Sequence, residues 1–179
     1  WVAAECDVSI RPGWFYHPEE DDKVKTVDQL TDLYYRSVGH NATLLLNFPV
    51  DRNGLIHPTD SLNAVSFHQR VQKELADNLL SSAKVVASDE RGGKFKVRAA
   101  TDGQYETYWA TNDGVTSADL TFTFTQPTKM NRVMIQEYIP LGQRVKSFVV
   151  EYKEGDQWLP VKCNEDTTTV GYKRLLRFE

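Results

Sequence analysis

The chain is short of the features that would tie it to a membrane, a nucleic acid or a disulfide scaffold. It has no run of about eighteen apolar residues, so no helical membrane span is expected. It lacks a basic excess: 21 Lys and Arg stand against 25 Asp and Glu, a net charge of −4, where a nucleic-acid binder would show a basic stripe. Its two cysteines, Cys6 and Cys163, fall in different expected domains and are read as free thiols. The acidic loop from His17 to Lys25 has no His or Cys spacing suited to a metal and reads as a solvated face. No internal repeat or low-complexity segment is visible. No signal peptide or initiator Met is present, and the end from Arg174 to Glu179 reads as an interrupted strand. With Trp1 standing inside a motif, the chain is expected to be a piece of a longer protein. At 40% hydrophobic and 11% aromatic, its composition suits an ordinary core of one or two domains.

The most informative stretch is Glu5-Cys6-Asp7-Val8-Ser9-Ile10-Arg11-Pro12-Gly13-Trp14-Phe15-Tyr16. It reads as one short, turn-rich segment holding carboxylates, a guanidinium and three consecutive rings. Aromatic faces pack on the C–H patches of sugars, whose hydroxyls want charged and amide partners. A carboxyl beside such rings is poorly solvated and keeps its proton, as a donor to a leaving oxygen must.

Further on, Thr26-Val27-Asp28-Gln29 fits a capping box for a helix carrying Leu30, Leu33, Tyr34 and Val38, with Gly39 placed to end it in a left-handed conformation. Ala42 to Asn47 is a short apolar run, read as a parallel strand buried on both faces. Asn53-Gly54 marks a turn, and Asp60 is expected to cap a helix with the stripe Phe67, Val71, Leu75, Leu79. Near Ser81-Ser82 the apolar period changes to two. Leu120/Phe122/Phe124, Val133/Ile135 and Phe148/Val150/Tyr152 alternate between turn signals at Asn112-Asp113-Gly114, Gln126-Pro127 and Glu154-Gly155-Asp156. That spacing predicts an antiparallel sandwich.

Glu5 to Tyr16, together with Tyr34-Tyr35-Arg36-Ser37-Val38-Gly39-His40-Asn41-Ala42-Thr43-Leu44-Leu45-Leu46-Asn47, resembles glycoside hydrolase family 29, the alpha-L-fucosidases. The wording around Glu5 is closest to the subgroup acting on 1,3- and 1,4-linked fucose. The resemblance implies a retaining enzyme with Glu5 as acid/base. The nucleophilic Asp would lie on an earlier barrel strand, outside this chain, and Asp7 does not replace it. Residues 1–80 would then be the C-terminal portion of a (β/α)8-like barrel, a fold that takes about 250 residues when complete. Their partner is the remaining N-terminal part of that barrel. Trp14 either covers the fucose ring or a flanking sugar, or plugs the barrel mouth. Arg11 either bonds a substrate hydroxyl or, as expected, holds the Glu5 loop by a charge-assisted pair. His17, His40, His57 and His68 are given no role.

Asp102-Gly103-Gln104-Tyr105-Glu106-Thr107-Tyr108-Trp109-Ala110, Gly142-Gln143-Arg144-Val145 and Val170-Gly171-Tyr172-Lys173-Arg174 resemble the discoidin-like sandwich of coagulation factor V/VIII C domains and carbohydrate-binding module family 32. The expected architecture is therefore multidomain: α/β barrel portion, then an antiparallel β-sandwich (jelly roll) over 81–179. In the resembled family the Asp-Gly…Thr…Trp segment wraps a structural calcium, which Asp102 and Thr107 would ligate through oxygen. The alternative is that both only cap a turn while Trp109 fills the core. Tyr105, Tyr108, Tyr138 and Trp158 are read as core at least as readily as a sugar platform.

The activity implied is removal of terminal alpha-L-fucosyl residues from fucosylated glycans, with no catalytic cofactor, in a secreted or periplasmic protein. The isolated chain is expected to be inactive. Two readings without catalysis stand beside it: a carbohydrate-binding or spacer module, and an adhesion domain.

Overall fold

The computed structural model describes residues 2–178. Trp1, expected inside a motif, and Glu179, expected in the last strand, lie outside the described residues.

The chain opens on strand β1, Ala4–Ser9. Glu5 therefore sits in an extended strand and not in a turn-rich segment. Glu5 and Asp7 are exposed while Cys6 and Val8 are half-buried, so the pleat separates a bare face from a packed one. The loop that follows carries a 3-10 turn, Pro18–Glu20, and returns beside the strand end, where Lys25 N–H donates to the Ile10 carbonyl at 2.9 Å.

Helix α1 spans Val27–Arg36. The capping box forms as read: Gln29 N–H donates to Thr26 Oγ1, and Thr26 N–H to the Gln29 side chain. Gly39 does not end the helix in a left-handed conformation. The helix stops at Ser37, whose hydroxyl bonds back to the Leu33 carbonyl at 2.6 Å, and the left-handed residue is Asn41, with φ 71°. Gly39 is required for space instead, since a Cβ there would stand 2.3 Å from the Tyr35 carbonyl oxygen.

Strand β2, Ala42–Asn47, runs parallel to β1, with Glu5 opposite Thr43 and Ser9 opposite Asn47. Parallel neighbours need a crossover, and α1 supplies it. Ile10, Val24 and Leu30 form the packed core, joined by Leu33, Leu46, Phe48 and Phe67. The expectation that β2 is buried on both faces is overturned. Leu45 is 51% exposed, because among the described residues nothing covers the face that β2 shares with Glu5 and Asp7.

Helix α2 covers Pro58–Glu74. Asp60 is not its cap. His57 holds that place, its Nδ1 accepting from Thr59 N–H at 3.3 Å, and Pro58 supplies a helix-ready φ at the first position. The apolar stripe also stops short of the reading: Leu75 is the C-cap, and Leu79 opens a 3-10 turn, Leu79–Ser82.

The remainder is mostly β. Strands β3 (Lys84–Ala87) and β4 (Leu120–Thr123) pair antiparallel. So do β5 (Arg132–Ile135) with β8 (Arg174–Arg177), and the hairpin β6 (Glu151–Glu154) with β7 (Gln157–Pro160). Gly155, at φ 58°, makes the hairpin's two-residue turn. Among the described residues each antiparallel ladder is two-stranded, and Tyr152 on the β6–β7 hairpin is 50% exposed.

Strand β8 docks on the end of α1. Leu175 N–H donates to the Gly39 carbonyl at 3.0 Å, and Lys173 N–H to the Asn41 side chain at 2.7 Å. The Arg177 guanidinium lies 4.3 Å from the Tyr35 ring centre and reaches Asp32 and Glu165 at 2.8 and 2.6 Å. Arg132 Nε donates to the Tyr35 hydroxyl at 2.7 Å, and that hydroxyl donates to Glu74 at 3.1 Å. Tyr35, Leu175 and Leu176 are buried there.

Candidate functional site

At the C-terminal ends of β1 and β2 the backbone turns sharply, and side chains fix the turn. The Asn47 carboxamide donates to Ser9 Oγ and to the Trp14 carbonyl, each at 3.1 Å. That holds the 12–16 loop against the strand ends and leaves the Trp14 ring half-exposed.

Arg11 lies beneath the loop, with no exposed surface. Its Nε and Nη2 grip the two Asp60 oxygens at 2.8 and 2.9 Å, a fork-on-fork pair. Asp21 Oδ1 lies 2.9 Å from Nη2, Nη1 donates to the His17 carbonyl, and the Tyr16 ring lies 4.6 Å from the guanidinium carbon. The hydrogen bond to Asp60 first, and Asp21 next against the cost of burial, raises the Arg11 pKa above its ordinary value. Arg11 is thus spent on structure, tying the loop to the first turn of α2. It does not hold Glu5. Asp60 and Asp21 are the residues that sequence reasoning missed. An acid in a helix's first turn looks like a cap, and a partner 49 positions away leaves no local signal.

Glu5 and Trp14 are not brought together. Glu5 lies four residues before Ser9, about 13 Å along an extended strand from the ends that carry the Trp14 loop. The three rings therefore do not wall the Glu5 carboxyl. Trp14 and Phe15 point largely to solvent, and Tyr16 covers Arg11. Glu5 stands exposed on the bare face with Asp7.

Asp102 and Thr107 do meet. Thr107 Oγ1 donates to Asp102 Oδ2 at 2.6 Å and stands 3.1 Å from the Gln104 carbonyl, while Gln104 N–H donates to Asp102 Oδ1 at 2.9 Å. The Thr107 hydroxyl first, then Gln104 N–H, holds the Asp102 carboxyl below its usual pKa. The oxygens are of the kind a hard cation takes, but one carboxylate is few for six to eight ligands. No group of three or more His, Cys, Asp or Glu suited to a metal occurs among the described residues. Trp109 is half-buried, its indole N–H donating to the Asp89 carbonyl at 3.0 Å.

The tyrosines read as candidate core sit in loops, outside the strands. Tyr108 stacks on Tyr138 with centres 4.7 Å apart, Tyr105 reaches Tyr138 at 6.1 Å, and Tyr172 lies 5.6 Å from Tyr105. Trp158 stands apart on the β6–β7 hairpin.

Residues 84–178 match the F5/8 type C domain. The chain belongs to that family. Most of its β portion is this F5/8 type C domain, and similarity to longer proteins extends beyond it. Alpha-L-fucosidase 1 of Arabidopsis thaliana is 38% identical over 99% of the chain, which covers 35% of that protein. A Bacteroides thetaiotaomicron structure, of a protein provisionally named an alpha-L-fucosidase, is 45% identical with a TM-score of 0.94, over 98% of this chain and 39% of that one. A Ruminococcus gnavus GH29 fucosidase in complex with fucose is 37% identical with a TM-score of 0.90, over 99% of this chain and 35% of that one. The chain spans about a third of the length of the curated relatives it matches. No described helix is long and apolar enough to cross a membrane.

Proposed function

We propose that the protein carrying this chain hydrolyses terminal alpha-L-fucosyl residues of glycans by a retaining double displacement. The observation that carries this reading is end-to-end similarity to alpha-L-fucosidases over 99% of the chain, including the β1–α1–β2 unit on which Glu5 lies. That unit would be the closing part of a barrel, and the bare face of Glu5, Asp7 and Leu45 would be covered by the remaining strands. The 179 residues alone would then be inactive.

In the first step an Asp from outside this chain attacks the anomeric carbon, and the glycosidic C–O bond breaks. Glu5 gives its proton to the departing oxygen. In the second, water attacks the fucosyl–carboxylate ester while Glu5 takes the water's proton, releasing fucose and the free Asp. The two carboxyls would flank the sugar at about 5–5.5 Å. Glu5 must be protonated for one step and ionised for the next. Trp14, half-exposed beside the strand ends and away from Glu5, is assigned to a sugar flanking the fucose. The linkages served are 1,3 and 1,4, and the protein works in a secreted or periplasmic setting.

Glu5→Gln in the full-length protein tests the assignment. Hydrolysis of fucosylated trisaccharides should fall by about 10²–10⁴-fold, the usual worth of a general acid. Activated aryl fucosides, whose leaving group needs no proton, should lose far less in the fucosylation step. Equal, small losses on both would remove Glu5 from the role. Calcium at Asp102 and Thr107 is tested separately: the melting temperature should rise with added calcium and fall with chelator, and Asp102→Ala should abolish the difference. No calcium effect in the unaltered protein would leave these residues as a turn cap.

A further inference from the structure

Among the described residues a single hydrogen bond reaches the stretch 12–15, and Asn47 makes it, to the Trp14 carbonyl at 3.1 Å. Pro12, Trp14 and Phe15 are exposed, and a Cβ at Gly13 would meet nothing within 4 Å, so packing does little to hold this stretch. Its two flanks are fixed independently. On the near side, the Ser9 hydroxyl accepts from Arg11 N–H at 3.3 Å, and Lys25 Nζ donates to the Ser9 carbonyl at 2.7 Å. On the far side, Arg11 Nη1 donates to the His17 carbonyl and the Tyr16 hydroxyl to Asp21, each at 3.3 Å. Between those anchors the Trp14 ring would swing with its backbone were Asn47 not there.

Asn47 is equipped for this task. A carboxamide nitrogen carries two N–H donors, and both are used: one on Ser9 Oγ at 3.1 Å, the other on Trp14. The residue is itself held by the strand ladder, where it stands opposite Ser9 and its carbonyl accepts from Ile10 N–H at 3.0 Å. The indole is thereby referred to the strand ends and not to the loop alone. A ring face in a fixed place can pack on the C–H groups of a sugar without first giving up its own freedom. A swinging ring gives up that freedom on binding, and recognises more weakly. Glu5 lies about 13 Å back along the strand, so this tie has no direct hold on the group that gives the proton.

From this we infer that Asn47 is a positioning residue for recognition of the sugar next to the fucose: it acts through Trp14, sets how well branched glycans bind, and takes no part in the chemistry. The role rests on the fucosidase reading for its substrate. Asn47→Asp in the full-length protein tests it. The carboxylate keeps the shape, loses both donors and sets an anion against the Trp14 carbonyl oxygen. On a fucosylated trisaccharide KM should rise about tenfold, with kcat held within about twofold. An aryl fucoside has no flanking sugar, so the ratio of kcat/KM on the trisaccharide to that on the aryl fucoside should fall about tenfold as well. Trp14→Ala should lower that ratio as far, and the double variant no further, since both changes remove one interaction. A second readout needs no catalysis. In protein labelled with fluorotryptophan, the Trp14 fluorine resonance, assigned by its loss in Trp14→Phe, should shift in Asn47→Asp. The role is overturned if Asn47→Asp leaves the ratio unaltered, lowers kcat equally on both substrates or leaves the resonance in place, and also if the losses add in the double variant. A full-length protein that hydrolyses neither substrate would count against the fucosidase reading alone, and the resonance would still decide whether Asn47 holds Trp14.

Discussion

The two parts of the molecule are held together by different means. Residues 2–82 organise around one buried charge pair and a parallel strand pair, with an apolar core on one side and a bare sheet face on the other. Residues 84–178 have small ladders and few wholly buried side chains, and their loops are fixed by carboxylates that gather backbone N–H groups, above all Glu137, which accepts from Arg144, Val145 and Gly171. The deepest apolar burial in the β portion, at Leu175 and Leu176, lies where it meets α1. The β portion therefore takes much of its core from its neighbour, and the two parts are not beads on a string.

The sharpest way to break the contrast is at Arg11. Asp60→Ala leaves a buried guanidinium with half its partners and should cost about 3–5 kcal/mol in denaturant melting. Loss of less than about 1 kcal/mol would mean that the pair is not the organiser of the first part. Next is the seam. Leu175→Ala should cost about 2–5 kcal/mol, and it should loosen amide protection at Gly39 and Leu30 as well as in β5. Protection lost only beyond residue 84 would restore the two-bead picture.

Alkali probes the same seam. Burial first pushes the Tyr35 phenol from its ordinary 10 up to about 12, against the pull of Arg132. The folded state holds that proton more tightly than the unfolded one does. Tyr35 thus contributes stability that is whole below pH 10 and is lost as pH climbs toward 12. Melting temperature should drop across that window, and Tyr35→Phe should flatten the drop. The smallest effect belongs to a local feature. Thr26→Ala should cost about 1 kcal/mol, since it removes only one cap of α1.

What could be read in advance divides along physical lines. The Thr26 box, the β2 run and the Gly155 hairpin were legible because each is settled by neighbours within a few residues. The sequence names Gly39 for the wrong reason: a Cβ there would stand 2.3 Å from the Tyr35 carbonyl oxygen and 3.0 Å from Leu175 of β8, a lack of space that only the path of the folded backbone reveals. Asp60 and Tyr172 failed to announce themselves in the same way, since their partners lie tens of residues distant. Glu5 was placed among aromatic rings by adjacency in sequence, but an extended backbone carries neighbours apart at about 3.3 Å per residue.

The pairing of Asn41 with Lys173 spans 132 positions. During synthesis, α1 and the turn after it emerge long before the strand that will cover them. Until residue 178 has left the ribosome, Tyr35 and the Gly39 carbonyl wait uncovered, and Arg132–Ile135 has no partner strand. Closure of this junction must then be a late event, and a chain stalled short of β8 would present a sticky, half-finished surface to the proteins that patrol nascent chains.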